Sequence, residues 1–385
     1  MAESFILTGV RTPIGKYLGS LAEVPAVQLG AQVVGEVLRR GGVAGTDIDE
    51  VIMGSVVQAG LGQNPARQAA LKAGLPDSVA AFTVNKVCGS GLKAVMLADQ
   101  AIRAGDAALV IAGGMESMSR APFLLMGARS GWKYGDQKAV DALIHDGLWC
   151  AFEGCHMGES AEYIAEKFGV SRAEMDRFSA QSHARAVAAW EKGLFAAEVV
   201  PVTVGSGPKA RTLNRDEGMR PETSVEVLSK LRPAFRSEGR VTAGNASMMS
   251  DGAAAVLVAS STSVRRLNGK PLAKVVASAT SGVAPKDIFI APANAIRMVL
   301  DKAGLGLNDI DLFEINEAFA AQMLACLKEL RLDEARVNVN GGAIALGHPI
   351  GGSGARALVT LIHALQQRDA RRGVVSLCLG GGNAV

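Results

Sequence analysis

No run of apolar residues approaches the ~20 that a membrane-spanning helix needs, so the chain is not expected to cross a bilayer. Its opening, Ser4-Phe5-Ile6-Leu7, reads as a short strand and not as a secretory leader. Cysteine is sparse and odd in number, at 88, 150, 155, 326 and 378. A disulfide framework is therefore not expected, and free thiols in the cytoplasm fit better. Cys150 and Cys155 lack a second pair at zinc spacing and the five histidines are scattered, so no metal is expected. Charge of either sign is not in excess: 40 Lys and Arg against 37 Asp and Glu leave +3. That balance argues against nucleic acid as a partner while leaving room for a local basic site for an acidic small ligand.

Aromatic residues make up only 4% of the chain, whereas glycines number 45. This is the composition of a compact α/β protein with many close backbone approaches. At 385 residues, 49% of them hydrophobic, the chain is too long for one ordinary core and suggests two similar halves. A mean hydropathy of +0.21 agrees with a large interior. Internal similarity supports the halves. Asp47-Ile48-Asp49-Glu50-Val51 resembles Asp309-Ile310-Asp311-Leu312-Phe313, and Ser90-Gly91-Leu92-Lys93-Ala94 resembles Ser353-Gly354-Ala355-Arg356-Ala357. The apolar run Ala108 to Gly114 likewise resembles Val374 to Gly381, each running into glycines. Each half alternates helix and strand, and the continuous apolar runs predict parallel-sheet character. Residues 119–248 break the pattern with charged helical stretches, and read as an inserted loop domain capping a site. The apolar strand at 250–259 then rejoins the first half. The expected organisation is 1–118 with 249–268, an insertion at 119–248, and 269–385.

Cys88 stands in Asn85-Lys86-Val87-Cys88-Gly89-Ser90-Gly91, a small-residue turn from which an amphipathic helix runs to Gly105. A thiol near the positive end of a helix dipole is favoured as thiolate; read alone, the same residue fits a small buried apolar side chain equally well. His348 lies in the glycine-rich stretch Gly341 to Gly354, stiffened by Pro349 and followed by a helix from Ser353. Such a turn could by itself bind phosphate. Its symmetry relation to the Cys88 turn instead predicts that the two meet near the pseudo-twofold axis. Cys378 ends an apolar strand before Gly380-Gly381-Gly382 and either faces that crevice or is simply buried. Asn316, after the strand 311–315 and before an apolar helix, has the look of an N-cap.

These segments together resemble the thiolase family along essentially the whole chain: Asn85 to Gly91 its nucleophile motif, Asn316 to Ala320 its Asn-Glu-Ala-Phe motif, Gly341 to Arg356 its Gly-His-Pro motif, and Cys378 to Gly382 its Cys-x-Gly-Gly-Gly motif. The resemblance implies the thiolase fold, two pseudo-symmetric halves in a five-layer α-β-α-β-α arrangement with an inserted loop domain. It implies Cys88 as acyl-accepting nucleophile, His348 as the base that activates it, and Cys378 as the acid/base at the substrate α-carbon. Asn316 would hold a water that shares one oxyanion hole with His348, while the N–H groups of Cys88 and Gly380 would form another. Coenzyme A thioesters are then substrates and no cofactor is implied.

Further strings point to substrate contacts by the same resemblance. His156 and Met157, in Cys155 to Glu162, match a pantetheine-tunnel segment; Arg220 matches the position at the adenine end; Ser247 and Phe319 flank the pantetheine. Ala243, Ala318 and Leu148 are further candidate contacts. Gly131 to Asp136 resembles the loop of short-chain, biosynthetic-type members, which assemble as homotetramers. This favours condensation of two acetyl-CoA, with the broader-chain thiolases of fatty-acid β-oxidation as the alternative. A β-ketoacyl synthase and a non-catalytic lipid carrier are disfavoured, because Cys88, His348 and Cys378 are all present. Two departures stand out. Asp287-Ile288-Phe289-Ile290-Ala291-Pro292 replaces the usual Met-Gly-x-Gly-Pro of one tunnel wall, and Asn383-Ala384-Val385 ends the sequence where the family continues into a final strand, as a trimmed C-terminus would.

Overall fold

The computed structural model describes residues 3–385. Its first half contains β1 (Ser4–Arg11), α1 (Ala26–Gly41), β2 (Glu50–Gly54), α2 (Pro65–Lys72), β3 (Ala80–Val84), α3 (Ser90–Ala104) and β4 (Leu109–Ser117). After the insertion, which carries α4 (Met157–Lys167) and α5 (Arg172–Glu191), β5 (Ser250–Ser260) returns to lie between β1 and β4. β2 is parallel to β3 and β4, but β5 is antiparallel to both β4 and β1. The continuous apolar runs predict parallel-sheet character, which holds for β2 with β3 and β4 but not for β5. A continuous apolar run reports burial of both faces, not strand direction. Both faces are indeed covered: Val10, Ile111 and Leu257 pack under α1 and α2, while Ile6, Val110 and Val256 face the opposite layer.

The second half repeats the order. It contains β6 (Ala273–Val275), β7 (Ser281–Gly282), α6 (Ala291–Ala303), β8 (Leu312–Ile315), α7 (Ala320–Leu330), α8 (Ser353–Gln367), β9 (Gly373–Ser376), β10 (Cys378–Leu379) and β11 (Asn383–Ala384). β8 runs parallel to β9, and β11 is antiparallel between β10 and β7. A parallel bridge from Phe313 to Val337 stands beside β8 where β3 stands beside β2. Only β6 crosses over, pairing with β1 of the first sheet. Five layers result: α1 and α2, the first sheet, α3 with α8, the second sheet, and α6 with α7. Leu92 and Met96 of α3 pack on Leu377 and Leu379, and Leu361 of α8 on Leu312, which ties the central layer to the second sheet. Ile296, Leu300 and Leu324 close the outer face against Phe313 and Val374.

The central layer is held by the repeated Ser-Gly pair. A Cβ on Gly354 would lie 2.5 Å from the Leu92 nitrogen, and one on Gly91 would lie 2.9 Å from the Ala355 nitrogen. The two helices therefore cross backbone to backbone near their N-termini, a contact that only glycine on both sides permits. The charged residue on the buried face of α3, Asp99, accepts from Ser4 Oγ and from Arg103 Nε. The insertion is tied to the first half by fully buried Arg11, which donates to Glu198 at 2.6 Å and to Asp216 at 2.7 Å.

Replacing Gly354 by Val is expected to destabilise the fold by about 3 kcal/mol through overpacking against backbone. Gly282→Ala, whose Cβ meets nothing within 4 Å, is expected to stay within about 0.5 kcal/mol of the parent. Chemical denaturation of the two variants checks both values.

Candidate active site

The turn after β3 presents Cys88 under strain. Val87 has φ 48°, a left-handed conformation that a β-branched side chain adopts only when its surroundings enforce it. Here Asn85 Oδ1 accepts from Val87 N (2.9 Å), while Ser90 Oγ accepts from Lys86 N (2.8 Å) and donates to the Val87 carbonyl (2.6 Å). α3 starts two residues after the thiol and closes at Gly105, as the sequence predicts.

The symmetry-related turn before α8 places His348. Gly347 has φ 114°, and a Cβ there would lie 2.3 Å from Ser250 Oγ. The His348 N–H is shared between the Met248 carbonyl (2.9 Å) and Ser250 Oγ (3.1 Å), which pins the backbone. Nδ1 lies 2.6 Å from Ser353 Oγ, and that hydroxyl donates to the Pro349 carbonyl at 2.9 Å. Ser353 must then accept from Nδ1–H, so the neutral ring carries its lone pair on Nε2. Asn316 Nδ2 lies 3.5 Å from that Nε2, and Asn316 Oδ1 is buried with no protein partner. Asn316 caps no helix: α7 begins at Ala320, with Phe319 at its N-cap.

Cys88, His348, Cys378 and Gly380 line one cavity of about 640 Å³, a volume suited to a small organic ligand. So do all the expected substrate contacts: Leu148, His156, Met157, Arg220, Ala243, Ser247, Ala318 and Phe319. Asn316 is fully buried behind the lining. Two extended segments bring Ser247 and Phe319 together, since Ser247 N donates to the Ala318 carbonyl and Ala320 N to that of Asn245. His156 caps α4 through Nδ1 and stacks on Phe235 at 4.9 Å. Arg220 is exposed at the rim, its N–H donating to His183 Nδ1. Ile288 and Phe289 occupy the departing wall, with Phe289 edge-to-face on Phe319 at 5.3 Å. Among the described residues, no cluster of three or more His, Cys, Asp or Glu could hold a metal, and no helix is long and apolar enough to cross a membrane.

Two buried carboxylates escaped the sequence reading. Glu116 accepts from Val56 N (2.9 Å), Val57 N (3.3 Å) and Gly351 N (2.9 Å), clamping the end of β2 to the His348 turn. Its signal was a charge inside the apolar run of β4. Glu317 joins Ser182 Oγ, Asn338 Nδ2 and Ile344 N, fixing the loop that carries Asn316. Its one signal was its place in the Asn316 to Ala320 motif.

Burial governs the ionisation of the site. Cys88 is pushed up to about 12 by desolvation and, after it, by the Glu116 charge. The helix-dipole expectation of a ready thiolate is therefore opposed by burial: loss of water outweighs the first turn of α3. Burial holds Cys378 well above the ordinary thiol range, aided by Cys88 and Cys326. His348 is pushed down to about 3 by burial and by Arg356. Glu116 is raised to about 7 by burial against its three backbone donors.

Residues 4–262 match the family described as thiolase, N-terminal domain, and residues 269–385 match thiolase, C-terminal domain. An acetyl-CoA acetyltransferase of Pseudomonas aeruginosa is 53% identical over 387 residues, covering 100% of this chain and 98% of that protein. Another, from Escherichia coli, is 51% identical with the same coverage. A probable acetyl-CoA acyltransferase of Staphylococcus aureus is 50% identical over 386 residues, again covering 100% and 98%. The crystal structure of the Bacillus anthracis acetyl-CoA acetyltransferase superposes with a TM-score of 0.98 at 42% identity, covering 100% of this chain and 97% of that one.

Because the folded state holds His348 neutral down to about pH 3 while the unfolded chain protonates near its ordinary value, acidification favours unfolding. The slope is at most ~1.4 kcal/mol per pH unit between those two values. His348→Gln is expected to flatten the loss of stability between pH 6 and pH 4, read by denaturation midpoints at each pH.

Proposed function

The chain belongs to the thiolase family, and on that premise we propose that it is an acetyl-CoA C-acetyltransferase, joining two acetyl-CoA into acetoacetyl-CoA and coenzyme A, reversibly. The observation that carries the reading is one apolar cavity onto which Cys88, His348 and Cys378 all open and which runs out to Arg220. Catalytic roles go to Cys88, His348, Cys378, Asn316 and the Gly380 N–H. The pantetheine arm lies along Leu148, His156, Met157, Ala243, Ser247, Ala318 and Phe319, with Arg220 at the adenine end. Coenzyme A thioesters are substrates and no cofactor or metal is required.

His348 Nε2 takes the Cys88 proton as the sulfur attacks the thioester carbonyl. A lone charge on either desolvated group is costly, whereas a thiolate and an imidazolium facing one cavity offset each other, so the proton moves with the attack. The departing coenzyme A sulfur takes the proton of Cys378, leaving a thiolate there and an acetyl group on Cys88. A buried thiol of raised pKa gives a strongly basic thiolate, as removal of an α-proton from a second acetyl-CoA demands. The resulting enolate oxygen is held by His348 and the water on Asn316, and its carbon attacks the acetyl carbonyl. Cys88 leaves and recovers its proton from His348.

Phe289, packed on Phe319 where the Met-Gly wall was expected, favours short acyl chains over the longer ones of β-oxidation. The arm at 123–141, a hairpin of Phe123–Leu124 with Val140–Asp141 that leaves Phe123 67% and Met126 59% exposed, supports assembly as homotetramers, dimers of dimers. Free cysteines support a cytoplasmic setting.

Cleavage of acetoacetyl-CoA by coenzyme A is expected to exceed that of a longer 3-ketoacyl-CoA, and Cys88→Ser to lower it on the order of 10³-fold or more. Equal cleavage of both substrates would move the enzyme to fatty-acid breakdown. Phe289→Ala is expected to shift the ratio of kcat/KM values towards the longer substrate by roughly tenfold. Light scattering on Phe123→Asp with Met126→Asp is expected to show species smaller than the tetramer.

A further inference from the structure

All five cysteines are free, yet two of them stand opposite each other. Within the insertion, Trp149–Cys150 and Cys155–His156 are the two short antiparallel strands of one hairpin, with Trp149 opposite His156 and Cys150 opposite Cys155. Directly opposite residues of such a pair have Cα atoms about 4.5–5.5 Å apart, and their side chains leave the same face. A disulfide spans about 4.4–6.8 Å between Cα atoms, so the register meets that requirement without backbone movement. The turn holds the two strands in place: Gly154 has φ 63°, and its N–H donates to the Cys150 carbonyl at 2.9 Å.

Each thiol has a weak partner. Cys150 Sγ accepts from Glu153 N at 3.5 Å, inside the turn, and Cys155 Sγ lies 3.8 Å from Ser160 Oγ. Sulfur is a poor hydrogen-bonding atom, so a rotation about either Cα–Cβ bond gives up little. Cys155 is half-buried whereas Cys150 is buried, so a reagent in solution meets Cys155 first. The hairpin also forms part of the catalytic cavity. Trp149, Ala151, Phe152 and His156 all line it, and a Cβ added to Gly381 would lie 3.1 Å from the Phe152 ring.

We propose that Cys150 and Cys155 are a reversible redox pair, joined by a low-molecular-weight disulfide such as oxidised glutathione, and that the link braces one wall of the catalytic cavity. Cys155 loses its proton to solvent and its sulfur attacks one sulfur of the oxidant, breaking that S–S bond and releasing one glutathione thiolate. Cys150, deprotonated in turn, attacks the Cys155 sulfur of the mixed disulfide and releases the second. Two cysteines thereby give up two electrons and two protons, and one molecule of oxidised glutathione becomes two of the thiol. Crosslinked across its two strands, the hairpin no longer spreads as the long arm of a thioester enters. The bracing rests on the thioester reading, and the pairing of the thiols does not.

Trypsin leaves both cysteines in one peptide, 139–167, since no Lys or Arg lies between Lys138 and Lys167. The intact protein is incubated with oxidised glutathione, alkylated with iodoacetamide, digested and analysed by mass spectrometry. The peptide is expected to be lighter by two hydrogens and free of alkylation, and to be alkylated at both cysteines once dithiothreitol is added first. In Cys150→Ser the second displacement is blocked, so Cys155 is expected to retain one glutathione. A wild-type peptide alkylated twice or carrying two glutathiones overturns the pair, as does oxidation confined to the other cysteines. The KM for acetoacetyl-CoA is expected to rise roughly threefold on oxidation with kcat kept, and to return with dithiothreitol, while Cys155→Ser treated alike keeps its KM. Equal KM for the reduced and oxidised protein, or an equal rise in Cys155→Ser, overturns the bracing. Absence of cleavage by the reduced protein would count against the thioester reading instead, and the peptide mass still decides the pair.

Discussion

The contact between α3 and α8 at Gly91 and Gly354 is the constraint on which the rest depends. Helices with side chains at the crossing keep their axes ~8–10 Å apart; here each glycine lets backbone approach backbone. Because the crossing lies at the first turn of both helices, the residues just before each helix are drawn to one place. Those residues are Cys88 and His348. Neither half contains a site alone, and the chemistry belongs to the seam between them. Glu116 reinforces that seam from the first sheet, gripping the His348 turn by the Gly351 N–H.

Desolvation then sets the character of the site. Cys88, Cys378 and His348 all prefer to be neutral in it, so charge is created only where a partner charge or an oriented donor arises with it. In the proposed reaction the seam supplies the reacting groups on rigid turns, whereas the insertion supplies walls that exclude water and would hold the long arm of the substrate. α4 and α5 reach their positions by packing on α7, and their apolar contacts continue into the core beneath Phe319 and Phe289. The proposed function thus divides chemistry and substrate selection between different parts of the chain, joined at Asn316 to Phe319.

The motifs around Cys88, Asn316, His348 and Cys378 were legible because each is a short local pattern of residue types, as in the strand, small-residue turn and helix start around Cys88. Strand direction was not legible in β4 and β5, because residue type responds to burial and both arrangements bury both faces. The thiolate expectation at Cys88 failed for a related reason. A helix dipole can be read from sequence, but the depth of the surrounding protein cannot. The contacts of Glu317 and Phe235 were not legible, since their partners lie far along the chain in Ser182 and His156.

By itself the sequence determined the two repeats, the strand and helix periods, the free thiols, and the glycines without which the central helices could not touch. These are properties of side-chain size, polarity and backbone freedom, each carried by one residue and its near neighbours. Tertiary structure alone decided which strands run antiparallel, which ring nitrogen of His348 holds the lone pair, and how strongly each group resists charge. Those outcomes depend on solvent exclusion and on contacts between distant segments, and no local pattern of residues encodes either.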